Sequence, residues 1–122
     1  MELHESDLAF QARLRRILQQ RRNPISYGAL ARELDVSGPG AIAHVTTALE
    51  SLMRDDAAAG LPFVAAMCEG KLSGGMPALG FFEMAAMLGR YSGPATGPDA
   101  VAFVTRQRFL LATEQPVNQF SR

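Results

Sequence analysis

The sequence lacks most of the features that announce a chemistry. Its single cysteine, Cys68, excludes an intramolecular disulfide framework and fits most easily with a reducing cytoplasm. It carries no net charge, 12 basic against 12 acidic side chains, whereas strong non-specific nucleic-acid binders have a basic excess that displaces counterions from phosphate. No apolar run is long enough to cross a bilayer, because the most apolar stretch, 75–88, is interrupted by Glu83 and punctuated by glycine and proline. The first residues, MELHESDL, place acids where a secretory leader needs a basic region and an apolar core. A cytoplasmic protein without membrane contact is therefore expected.

Catalytic and metal chemistry are equally thin. His4, His44 and Cys68 have no finger-like spacing, so neither a metal nor another cofactor is expected. Gly70-Lys71-Leu72-Ser73 fails as a phosphate loop: Ala65 stands where the first glycine is needed, and Leu72 where Ser or Thr must follow the lysine. Glu5, Asp7, Asp55 and Asp56 are scattered over expected helix surfaces and give no basis for paired carboxylates. Cys68 could act as a nucleophile only if a base such as His44 approached it, since a free thiol is weakly ionised at neutral pH. At the end of an apolar stretch it reads as a small core residue. The chain is not expected to be an enzyme.

What the sequence does contain is a helix-turn-helix pattern over Pro24 to Leu52. Tyr27, Leu30, Ala31 and Leu34 fall on one helical face with Ser26 placed to cap it, and Ile42, Val45, Leu49, Leu52 and Met53 make a second stripe. Asp35-Val36-Ser37-Gly38-Pro39-Gly40 between them is turn chemistry, because proline lacks an N–H and suits only the first turn of a helix. Upstream, Phe10, Leu14, Ile17 and Leu18 predict an amphipathic first helix from about Ser6 to Arg21, ended by Asn23-Pro24. Downstream, Gly60 and Pro62 close the third helix. Phe63 to Cys68 then reads as a short buried strand, and Glu69 to Ala78 as the loop or hairpin of a wing.

A fourth, almost wholly apolar helix is predicted over Gly80 to Leu88. The segment from Asp99 to Thr113 suits a helix better, although Val101, Phe103, Thr105, Phe109 and Leu111 also alternate as in a strand. The expected architecture is mainly α, a winged helix-turn-helix with a short β wing and extra C-terminal helices. It forms one domain over 1–113, followed by a loose tail over 114–122.

Charge is unevenly placed. Residues 1–34 hold six arginines against four acids, 35–70 one against five, and 71–122 five bases against three. Phosphate contacts are accordingly expected from the first helix, at Arg15 and Arg22 within the run Arg13, Arg15, Arg16, Arg21 and Arg22, and from Lys71 in the wing. Base-edge contacts would fall to Ser37, Gly40, Ala43, His44 and Thr47 at the start of the third helix.

The stretch ISYGALARELDVSGPGAIAHVTTAL followed by LPFVAAMC resembles the winged-helix DNA-binding domain of the alkylguanine-DNA alkyltransferases and their alkyltransferase-like relatives. In that family V-x-T-Y-G-x-(I/L)-A opens the helix-turn-helix and P-C-H-R carries the methyl-accepting cysteine. Ser26, Tyr27, Gly28, Leu30 and Ala31 match the first motif, and Cys68 falls close to the second. Its flanks read Met67, Glu69 and Gly70, so the activating His and the Arg of the signature are missing. Gly40-Ala41-Ile42-Ala43-His44 also lacks the family's arginine finger. The resemblance covers about half of the chain and implies fold, without methyl transfer. A second resemblance, to small bacterial proteins with a YGELA segment, an L-P-x-(L/V)-x-A-L-V-like strand and a G-x-P-x-x-G-F-F loop, rests on residues 61–67 and 75–82 and implies no activity.

The leading expectation is modest double-stranded DNA binding in a regulatory or accessory role. The alternative is a protein-interaction or dimerisation module that binds no nucleic acid. It draws on MPALGFFEMAAML at 76–88, where adjacent Phe81 and Phe82 point about a hundred degrees apart on a helix. One of them, with Met84 and Met87, is expected to face a partner, giving a homodimer centred on Phe82 or Met87.

Overall fold

The computed structural model describes residues 6–113; the tail expected over 114–122 lies outside them. The first helix, α1, spans Asp7–Gln19, and its cap is the Ser6 hydroxyl, which accepts from the Ala9 N–H at 3.1 Å. Its buried stripe is Phe10, Leu14 and Leu18, the i, i+4, i+8 spacing of one helix face. After Pro24 the chain makes a two-residue strand, β1 (Ile25–Ser26), and Ser26 caps α2 (Tyr27–Glu33) by accepting from Ala29 N–H. α2 ends on Asp35 in the left-handed region, φ 60°, with Val36 N–H bonded back to Ala31 C=O at 2.9 Å. Gly38 and Gly40, at φ 83° and 86°, turn the chain into α3 (Ala41–Ala59). Gly60 stops α3 as expected.

The segment 63–68 departs from the sequence reading. Its four residues Val64–Met67 form a 3-10 turn, and only Cys68–Glu69 is a strand, β2, paired in parallel with β1 through Ile25–Cys68 and Ser26–Glu69. A short apolar run cannot by its period distinguish a strand from another buried conformation. β2 finds its partner in residues 43 positions upstream, not in a following hairpin, and no strand follows it among the described residues. In place of the expected wing, residues 70–76 fold back on themselves, with Gly70 N–H bonded to Met76 C=O at 2.8 Å.

Residues 63–68 are buried throughout and packed by α1, α3 and α5 (Pro98–Thr113). A buried segment with almost no sheet ladder must satisfy its main chain elsewhere. Gln107 Oε1 accepts from Phe63 N–H at 2.8 Å and Asp56 Oδ2 from Val64 N–H at 3.0 Å. Arg108 donates to the carbonyls of Ala66 at 2.7 Å, Cys68 at 3.3 Å and Gly75 at 2.7 Å. Three polar side chains from α3 and α5 thus hold the hub of the fold.

The fourth helix, α4 (Leu79–Met87), corrects the expectation of an exposed phenylalanine. Phe81, Phe82 and Met84 are all buried. The two rings do diverge, but α5 and the segment after α4 supply a second wall: Phe81 meets Phe63 and Phe103, while Phe82 meets Tyr91. Met87 alone of the four expected contact residues stays exposed. The segment over 99–113 is helical, which resolves its double pattern. Among the described residues the result is a mainly helical fold of five α-helices and one small parallel two-stranded sheet.

Candidate nucleic-acid interface

The residues expected to contact DNA separate into three places. α1 and α3 run in the same sense: Phe10 lies edge-on to His44 with ring centroids 4.5 Å apart, and five residues further along α1, Arg15 reaches Asp56 at 2.8 Å. His44 and Asp56 are twelve residues apart on α3, about 18 Å of helix rise. Ser37, Gly40, Ala43, His44 and Thr47 therefore cluster at one end of this pair and are exposed there. Arg15 and Arg22 lie towards the other end. Lys71 sits on a third surface, in the 70–76 turn, tied to the start of α2 by the Ala78 N–H bond to the Tyr27 hydroxyl.

The α3 end offers small side chains and a Gly40 N-cap with no side-chain bond, and Ala41 N–H donates back to Gly38 C=O at 3.1 Å. It has no Arg or Lys from Ser37 to Thr47. The ring of His44 is on the surface and makes a T-shaped contact with Phe10.

The opposite end is a cleft of about 980 Å³ between the end of α1, residues 61–67 and the end of α5, whose lining includes Arg15, Arg16, Arg21, Arg22 and Arg108. The acid in this lining is Asp56, buried to 1% exposure and already paired with Arg15. Burial pushes the Asp56 carboxyl above its ordinary range, against the Val64 N–H and the Arg15 guanidinium, which pull it down. Arg15 is thereby tied to the hub through Asp56. Arg21 donates to Asn23 C=O at 3.1 Å and lies 3.9 Å from Glu33. Arg108 is spent on the hub carbonyls, and burial pulls its pKa below the ordinary guanidinium value. Arg16 and Arg22 are exposed, and their side chains make no hydrogen bond or ion pair among the described residues.

Sequence reasoning singled out Arg15 and Arg22, within the run that also holds Arg16, and missed Asp56, Gln107 and Arg108 as working residues. A signal for two of them was present. Asp56 continues the stripe Val45, Leu49, Leu52, and Gln107 the stripe Ala100, Val104, Leu111, and a polar group in an apolar register must be satisfied by something buried beside it.

Cys68 is fully buried behind the same hub, and burial pushes its thiol up to about 12, with Arg108 acting weakly in the opposite direction. A thiol so placed stays neutral and out of reach of a substrate. His44, its only proposed base, is engaged with Phe10. Among the described residues no group of three or more His, Cys, Asp or Glu side chains is gathered around a metal-sized site, and no helix is long and apolar enough to cross a membrane. No protein-family model, curated protein or solved structure matches the chain.

Proposed function

We propose that the chain binds the phosphate backbone of double-stranded DNA weakly, in a regulatory or accessory role, through the arginine-lined cleft at the end of α1. The observation that carries this reading is the pair Arg16 and Arg22, exposed and unpartnered among the described residues, at a cleft whose acid is already neutralised by Arg15. Guanidinium groups are suited to phosphate because their planar fork donates two parallel hydrogen bonds. The α2–turn–α3 order and the resemblance to the alkyltransferase winged helix support duplex DNA as the polyanion. In this reading α3 contributes surface, while the arginines supply the affinity.

Two free arginines imply a shallow salt dependence. With about two phosphates neutralised, affinity should fall roughly tenfold between 50 and 200 mM salt. A fluorescence-anisotropy titration with random duplex DNA at low and moderate salt measures this, and the absence of binding at low salt would sink the proposal.

The second reading, an interaction module without nucleic acid, draws on a different surface. The outward side of α5 exposes Val101 and Phe109, which have no counterpart in the DNA-binding account.

A further inference from the structure

The outer face of α5 carries a shallow apolar depression lined by Pro98, Val101, Ala102, Thr105, Arg106 and Phe109. Val101 is 48% and Phe109 59% exposed. At 100° per residue, Pro98, Ala102, Thr105 and Phe109 lie within one narrow stripe on the side opposite the buried Ala100, Val104 and Gln107. Asp99 and Arg106, seven residues apart, share one flank of that stripe. Both are exposed, and neither side chain makes an ion pair or hydrogen bond with another described residue.

We infer that this face is a homodimer contact in which two copies of α5 pack antiparallel across a two-fold axis. The charge pattern selects both the occupant and its direction. In an antiparallel pair like flanks meet, so a flank carrying an acid near its start and a base near its end is complementary to itself; a parallel pair would set it against the opposite flank of Val101, Arg108 and Ala112, whose one charge, Arg108, is already bonded to the carbonyls of Ala66, Cys68 and Gly75. An axis midway between Ala102 and Thr105 brings each Phe109 to the level of the partner's Pro98. It also brings each Arg106 within two residues of the partner's Asp99, about 3 Å of rise. The small side chains of Ala102 and Thr105 stand at the crossing, where two helices must approach closely. The contact is independent of the arginine cleft, so the proposed DNA binding and this dimer can fail separately.

One helix pair buries less than the roughly 800 Å² per partner of a standard interface, so a dimer that forms only at about 100 μM and above is expected. Sedimentation equilibrium across micromolar to millimolar concentrations tests the proposal on four chains: the wild type, Asp99→Arg, Arg106→Asp and the double reversal. The expected result is a weak wild-type dimer, at least tenfold weaker association for either single reversal, and recovery in the double reversal. Circular dichroism melts establish that each exposed variant is folded. A wild type that stays monomeric throughout overturns the inference. So does a dimer that the single reversals leave intact, or one that the double reversal does not restore.

Discussion

At one end of the α1–α3 pair, His44 leans edge-on against Phe10 among small exposed residues. At the other end, Arg15 pairs with a buried Asp56 that also holds the main chain of residue 64. The helix-turn-helix pattern directs attention to the first end, where its sequence signal lies. The charge and the buried hydrogen bonds are at the second. The difference teaches that a motif can place a helix without gathering charge beside it: the arginines line the end near Asp56, about 18 Å of helix rise from His44.

Substitutions at the two ends should therefore differ most in stability. Asp56→Ala strands the Arg15 guanidinium and the Val64 N–H together, and breaking such a pair should cost about 3 kcal/mol in urea unfolding. Arg108→Lys comes next: one ammonium cannot serve carbonyls of Ala66, Cys68 and Gly75 in the geometry of a planar fork, so a loss of about 2 kcal/mol is expected. His44→Ala, at the other end, removes one edge-to-face contact and should cost less than about 1 kcal/mol. A loss at His44 as large as that at Asp56 would erase the contrast between the ends.

How far the sequence foretells this contrast depends on the range of the interactions. Caps and stripes are local, so Ser6, Ser26 and the faces of α1 to α3 are legible from spacing alone. The partner of Asp56 stands 41 residues upstream and that of Phe63 44 residues downstream, and no local pattern specifies either. The same distance explains the two corrections. Residues 63–68 are shaped by side chains from α3 and α5, and Phe81 and Phe82 both find cover because Phe103 and Tyr91 close over them. The arginine cluster was visible as composition; which arginines remain unpaired depends on the fold.

The hub also predicts a pH response. Burial pushes both the Cys68 thiol and the Tyr27 hydroxyl up to about 12, from ordinary values of 9.0 and 10.0. Groups whose folded pKa is raised contribute stability that is complete below the unfolded pKa and is lost as pH rises through the folded one. Stability should therefore be insensitive to these groups up to pH 9 and fall between pH 9 and 12. Thermal melts of the wild type and Cys68→Ser across that range measure it. The variant, which lacks one titrating group, should show the shallower decline.

The central claim, that phosphate affinity resides in the cleft and not at the start of α3, is tested most directly by one paired titration. Arg16→Glu/Arg22→Glu and Ala43→Glu/Thr47→Glu each replace exposed residues and add acid at opposite ends of the α1–α3 pair. Anisotropy with random duplex DNA at low salt should show binding reduced at least tenfold in the first variant and by less than about threefold in the second, since charges more than a Debye length from the contact are largely screened. Loss of binding in the α3 variant with full retention in the arginine variant would contradict the account.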